Sequence, residues 1–202
     1  MITLVSQRVE FIENYSEYRD CIDQRLVMWL SENGFVPVPV PNILGEVQLK
    51  RWLENLSATA IVLSGGNDIG QYSSRDETES ILLRWAEKNQ IPVLGICRGM
   101  QFMVKWYGGK LVETDNHVGV RHRLKKIIDE EELPHEVNSY HNFGLRNCPE
   151  KFNILAMTDD GFIEAISHKS LPWEGWMWHP ERELTFNDID QKRLSNLFYK
   201  GQ

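Results

Sequence analysis

Ile91-Pro92-Val93-Leu94-Gly95-Ile96-Cys97-Arg98-Gly99 sets a cysteine between glycines directly after an apolar run. A strand that ends at a Gly-x-Cys-x-Gly turn and enters a helix holds its thiol on a sharp, exposed elbow. The helix N-terminus then turns free N–H groups and partial positive charge toward the sulfur, which favours thiolate. A buried structural cysteine needs none of this, so Cys97 reads as a nucleophile.

Outward from this elbow the chain alternates strands and helices. Ile2 to Val5 and Ala60 to Leu63 read as short buried strands, and Ile91 to Leu94 as the strand that feeds the elbow. Tyr18 to Asn33 has helical spacing through Ile22, Leu26, Trp29 and Leu30, with Gly34 as its C-terminal cap. Val47 to Leu56 and Thr78 to Lys88 read as further helices. In Phe35-Val36-Pro37-Val38-Pro39-Val40 the prolines argue for an edge strand or a strand end. Such alternation implies an α/β fold with a mostly parallel central sheet flanked by helices. Ligands in such sheets sit beyond the carboxyl ends of the strands, where Gly65-Gly66 and Gly95 to Gly99 both fall. After Gly108-Gly109 shorter strands are expected at Lys125 to Asp129, Glu136 to Asn138, Asn153 to Met157, Phe162 to Ser167 and Gly175 to Trp178, then a helix over Asn187 to Tyr199. No repeat or linker interrupts the 202 residues, so 1–202 reads as a single domain.

Composition limits the function classes. Hydrophobic residues make up 42% and charged residues 25%, as in ordinary globular proteins. A net charge of -7 argues against broad nucleic-acid or membrane binding, though not against a small anionic substrate met by local basic residues. The three cysteines, Cys21, Cys97 and Cys148, suit neither a disulfide framework nor a zinc site, and a reduced, cytoplasmic setting is expected. The N-terminus has neither the basic start nor the apolar length of a signal peptide, and no segment is apolar enough to span a bilayer.

A cysteine nucleophile needs a base and a group that orients the base. His179, in Trp178-His179-Pro180-Glu181 after a predicted strand, is the candidate base. Glu181, two residues on, can accept the second imidazole N–H and fix the tautomer. Developing oxyanion charge would be met by the N–H of Arg98 and by Gly66. The plainer alternatives are a surface histidine beside a charged loop and a tight glycine turn.

The stretch Gly95 to Gln101, with Gly108-Gly109, Asn138-Ser139-Tyr140-His141, Asp160-Gly161-Phe162-Ile163-Glu164-Ala165 and Trp178-His179-Pro180-Glu181, resembles the class I glutamine amidotransferase-like superfamily. The resemblance is nearest to its stand-alone γ-glutamyl hydrolases (the peptidase C26 group), among them the γ-glutamyl-γ-aminobutyrate hydrolases. It implies a flavodoxin-like fold, a Cys97-His179-Glu181 triad and a γ-glutamyl thioester. It also implies that Gly66 and Arg98 form the oxyanion hole, and that Gln101, Asn138, Ser139, Tyr140 and His141 hold the glutamyl group. No metal or other cofactor is expected. The partner is a small γ-glutamyl compound, and a homo-oligomer stays open. The chain departs from the pattern at Met177, where a glutamine often stands, at Trp173 and Trp176, which add bulk, and at Asn142, where some relatives have a second histidine.

The leaving group is a separate matter. Arg121-His122-Arg123 and Lys125-Lys126 gather cationic side chains in an acidic chain. If Arg121 and Arg123 line the pocket, a phosphate-bearing leaving group follows, since guanidinium groups match phosphate oxygens. A solvated basic strand is the plainer reading. The compact chain and basic segment resemble hydrolases of capsule phosphoramidate biosynthesis, which release glutamate and cytidine diphosphoramidate from γ-glutamyl-CDP-amidate. A γ-glutamyl amine as substrate, and a glutaminase subunit serving a partner synthase, are the alternatives.

Overall fold

Apolar runs without alternation form strands buried on both faces. In the computed structural model, which describes residues 1–128 and 132–199, the first such run becomes β1, Ile2–Ser6. Arg8–Ile12 (β2) and Glu17–Cys21 (β3) pair antiparallel as a hairpin outside the main sheet. The helix expected from Tyr18 begins only at Gln24 (α1, Gln24–Glu32). Two local features set this boundary. The Asp23 carboxylate accepts the Arg25 N–H at 2.9 Å as an N-cap. Upstream, Tyr18 packs across the hairpin on Phe11, with ring centroids 4.9 Å apart.

Val36–Val40 (β4), Glu46–Leu56 (α2), Ala60–Leu63 (β5), Ser73–Asn89 (α3), Val93–Ile96 (β6) and Arg98–Trp106 (α4) complete the alternating half. The second half holds Val112–Glu113 (β7), Val118–Arg123 (β8), Lys125–Lys126 (β9), Glu136–Tyr140 (β10) and Phe143–Gly144 (β11). It closes with Phe152–Met157 (β12), Ile163–His168 (β13), Trp173–Trp176 (β14) and Asp188–Tyr199 (α5). Of the strand expected over 125–129, Asp129 lies outside the described residues.

The main sheet has eight strands in the order β4-β1-β5-β6-β14-β13-β12-β9. Strands β4, β1, β5, β6 and β14 run parallel, while β13, β12 and β9 are antiparallel additions. This is the mostly parallel sheet expected. As the prolines require, β4 is the edge strand: Val36 donates its N–H to Met1 O at 2.9 Å. With a period of two, Pro37 and Pro39 place their missing N–H groups toward the open side. Strand β8 contains Arg121 to Arg123, the segment whose plainer reading is a solvated basic strand, and begins earlier, at Val118. It pairs with β10 away from the main sheet, Asn138 opposite Arg121.

Side-chain alternation sorts the core into two layers. Leu4, Ile61 and Val93 face α2, α3 and α4 through Leu49, Leu53, Leu82 and Met100. Val5, Val62 and Leu94 face α1 and α5 through Leu26, Leu30, Leu197 and Phe198. Trp173 and Trp176 are fully buried within these layers. Their bulk therefore fills core. Strands β5, β6 and β14 are neighbours in the sheet, and Gly66, then Cys97 with Arg98, then His179 with Glu181 follow their carboxyl ends.

Candidate active site

Cys97 joins β6 to α4 with φ 51° and ψ −105°, a backbone conformation that side chains other than glycine rarely adopt. It is held there from both sides. The Cys97 N–H donates to Trp176 O at 2.7 Å, and the Gln101 N–H donates to Cys97 O at 3.0 Å. The flanking glycines let helix and strand touch. A Cβ on Gly99 would stand 2.1 Å from Leu63 O, and one on Gly95 would stand 2.7 Å from Met100 N. Any side chain at either position would lift α4 off the sheet and carry Cys97 with it.

His179 follows β14, and Glu181 lies in a short 3-10 turn, Pro180–Arg182. Both are buried, and His179 Nδ1 is 2.7 Å from Glu181 Oε1. Burial works against the imidazolium, but the charge of Glu181 and the charge and hydrogen bond of Cys97 outweigh it, raising the His179 pKa to about 9. The ring is therefore cationic at neutral pH, beside the sulfur. It closes over Gly65, where a Cβ would stand 2.6 Å from His179 Cε1. Asn138 brackets the His179 backbone. It donates to His179 O at 2.8 Å and accepts the His179 N–H at 3.0 Å, and its amide also donates to Glu183 Oε1 at 2.8 Å. Arg25 of α1 donates to the carbonyls of Glu181, at 2.8 Å, and Glu183.

The Ser64–Gly66 turn after β5 is fixed by a buried network that the sequence does not announce. Arg75 of α3, with no exposed surface, donates to the carbonyls of Ser64 (2.7 Å), Gly65 (3.2 Å) and Gly66. Its Nε pairs with Glu79 Oε1 at 3.1 Å. Glu79 also accepts from Ser6 Oγ at 2.8 Å and from the Arg98 guanidinium, which in turn pairs with Asp76. The two residues whose N–H groups would meet an oxyanion, Gly66 and Arg98, are thus tied to one carboxylate. An i,i+4 Arg–Glu pair on a helix looks the same in sequence whether it is solvated or buried.

A cavity of about 360 Å³ opens beside Cys97, with Gly66, Arg98, Gln101, Tyr140 and His141 in its wall. Gln101 donates to Phe143 O at 2.7 Å and touches Met177 Sδ at 3.7 Å. The remaining candidates from the sequence lie elsewhere. Asn138 faces the His179 backbone, and Ser139 is fully buried with its hydroxyl on His117 O at 2.7 Å. Arg121 is engaged by Glu183, at 3.0 and 3.1 Å. With Arg123 it borders a separate cavity of about 250 Å³ beside Thr158, Asp159 and Asp160. The structure thus places the basic segment outside the Cys97 cavity.

Among the described residues one group offers the spacing of a metal site. His117, His141 and Glu164 are buried and bring one ligand atom each within 4.8 Å of one another. His141 Nε2 and Glu164 Oε1 are 3.5 Å apart.

The glutamine amidotransferase class-I family profile matches residues 10–200. The chain is similar to a γ-glutamyl-CDP-amidate hydrolase of Campylobacter jejuni, 30% identical over 198 residues, with 92% of each chain covered. It is also similar to anthranilate synthase component 2 of Thermococcus kodakarensis, 28% identical, covering 92% of this chain and 89% of that one. Among solved structures, a glutamine amidotransferase from Thermotoga maritima shares the fold, with a TM-score of 0.64 at 19% identity, over 98% of this chain and 84% of the other. With a family match over nearly its full length, the chain belongs to the class I glutamine amidotransferases.

Proposed function

We propose that the chain hydrolyses a γ-glutamyl amide through a γ-glutamyl thioester on Cys97, and that its substrate is γ-glutamyl-CDP-amidate. The observation that carries the reaction is the buried His179–Glu181 pair at 2.7 Å, beside a cysteine held in the elbow conformation. Cys97 Sγ attacks the γ-carbonyl carbon, and the Gly66 and Arg98 N–H groups receive the oxyanion charge. The C–N bond breaks as the His179 imidazolium gives its Nε2 proton to the leaving nitrogen. Neutral His179 then takes a proton from water, hydroxide attacks the thioester, and glutamate leaves as the thiolate–imidazolium pair returns. Gln101, Tyr140 and His141 would line the glutamyl side, while Asn138 and Glu181 act through His179 as positioning residues.

The choice of substrate rests on similarity to the Campylobacter hydrolase over 92% of both chains. Comparable cover of anthranilate synthase component 2 favours a second reading, a glutaminase subunit that works with a synthase. Glutamate release by the purified chain separates them, assayed on γ-glutamyl-CDP-amidate, γ-glutamyl-γ-aminobutyrate and glutamine. Preference for the nucleotide compound supports the proposal. Preference for the amine replaces the substrate, and inactivity on all three without a partner favours the glutaminase reading.

A further inference from the structure

Three buried side chains from distant parts of the chain meet at the edge of the Cys97 cavity. His117 precedes β8, His141 follows β10 and borders that cavity, and Glu164 lies in β13. The backbone joins the two histidines directly, the His141 N–H donating to His117 O at 3.0 Å. Each of the three residues is 3% exposed or less.

A hydrogen bond at one nitrogen of each ring fixes the role of the other. His117 Nε2 is 2.9 Å from Asp160 Oδ2, and His141 Nδ1 is 3.0 Å from Phe143 O. Carboxylate and carbonyl oxygens only accept, so both of these nitrogens carry the hydrogen. In the neutral rings this leaves lone pairs at His117 Nδ1 and His141 Nε2, and Glu164 adds two carboxylate oxygens. None of these four buried atoms has a hydrogen-bond partner among the described residues. Buried acceptors gathered without a donor, a carboxylate among them, are costly unless a cation joins them.

The arrangement behind the rings is the one metal-bound histidines use, with the second ring nitrogen donating to a carboxylate or a carbonyl. Two imidazoles and a carboxylate suit zinc, whose bonds of roughly 2.0–2.2 Å set tetrahedral ligand atoms about 3.4 Å apart. His141 Nε2 and Glu164 Oε1 already stand 3.5 Å apart, and one ligand atom of each of the three residues lies within 4.8 Å of the others. The longest separation therefore closes by roughly 1–1.5 Å, shared between two side chains. His122 is the candidate fourth ligand: its ring centroid is 4.2 Å from that of His117, and its Nε2 also lacks a hydrogen-bond partner among the described residues.

We propose that His117, His141 and Glu164 bind a structural zinc ion. The ion ties the start of β8 and the end of β10 to β13. It thereby fixes His141 and, through the Phe143 carbonyl that accepts from both His141 and Gln101, one wall of the Cys97 cavity. This departs from the expectation of a chain without metal, because ligands so far apart in sequence show no ligand spacing. No step of the thioester chemistry runs through the ion, and the assignment holds whichever γ-glutamyl compound is cleaved.

The test uses the full chain as Cys97→Ala and as Cys97→Ala with Glu164→Gln, stripped by chelator and checked for folding by circular dichroism. The Cys97→Ala background is needed because a thiolate beside an imidazole also binds zinc. Titration of Cys97→Ala with zinc chloride should show about one equivalent bound, with a rise in Tm, since an ion that binds only the folded chain stabilises it. Adding Glu164→Gln should weaken zinc binding by about 10²-fold or more. If that variant does not fold, Asp160→Ala takes its place: Asp160 is half exposed, and losing the carboxylate behind His117 should weaken zinc roughly 10–100-fold. Cys97→Ala that neither binds zinc nor gains Tm from it would overturn the site. Zinc affinity unchanged by Glu164→Gln, or by Asp160→Ala in its place, would overturn it equally.

Discussion

Gly99→Ala tests whether the elbow is built from contact between α4 and the sheet. The added methyl would sit 2.1 Å from Leu63 O and 2.8 Å from both Leu63 C and Cβ, against an ordinary contact beginning at 3.4 Å. Backbone atoms of a central strand cannot yield, so α4 must rise by roughly 1 Å, costing about 1–3 kcal/mol as overpacked cores do. For a chain of this size that lowers Tm by roughly 3–10 °C. Because Cys97 is the residue from which α4 starts, the same lift moves its sulfur relative to His179. A misplacement of that size costs on the order of 10²-fold in rate. Gly34→Ala is the control: φ is +80° there, but no atom lies within 4 Å of a Cβ, so it carries only backbone strain of about 1 kcal/mol. Differential scanning fluorimetry and glutamate-release kinetics read both effects. A Gly99→Ala protein with wild-type kcat/KM and Tm would refute the close-contact reasoning.

Glu181→Gln removes the largest charge that opposes burial in holding the His179 pKa at about 9. Activity that needs the imidazolium is present below that value and lost above it, so the alkaline limb of kcat/KM should move down by about one pH unit or more, with kcat reduced roughly 10²-fold. An unmoved limb would place the ionisation elsewhere. The same raised pKa adds stability that is full below about pH 6.5, the ordinary histidine value, and is lost as pH rises through about 9, readable in Tm against pH. Asn138→Leu removes both bonds that bracket the His179 backbone and should lower kcat about 10²-fold, with little change in glutamine KM. Equal losses in kcat and 1/KM would assign Asn138 to substrate binding. Burial pushes the Asp190 carboxyl up from 3.8 to about 7, so the native state loses stability as pH rises between those values. Asp190→Asn cannot ionise and should raise Tm at pH 8 by several degrees, on the order of 2 kcal/mol, but not at pH 4. A lower Tm at both pH values would contradict this.

The elbow was legible because close contact between helix and strand admits only glycine at positions 95 and 99. His179 and Glu181 were legible because a two-residue spacing on a turn can aim both side chains together, and Pro37 and Pro39 marked an edge strand by their missing donors. The hairpin over 8–21 was not legible. Tyr18, Ile22, Leu26 and Trp29 keep helical spacing even though the chain switches from strand to helix at Asp23, and only the cap marks the change. Long-range polar pairing was equally silent. Arg75 reaches three carbonyls of the loop after β5, Asn138 grips a backbone 41 residues away, and Arg121 is neutralised by Glu183. In each case the residue type announces a donor or a charge, and only the packing decides whether it meets substrate or protein.

The most direct measurement is the mass of the Cys97 peptide from protein quenched in acid during turnover of γ-glutamyl-CDP-amidate, alongside Cys97→Ala under the same conditions. A single glutamyl adduct on Cys97 in the wild type, with no glutamate released by the variant, is the expected result. Glutamate release without an adduct on Cys97, or continued turnover by Cys97→Ala, would contradict a nucleophilic role for this residue.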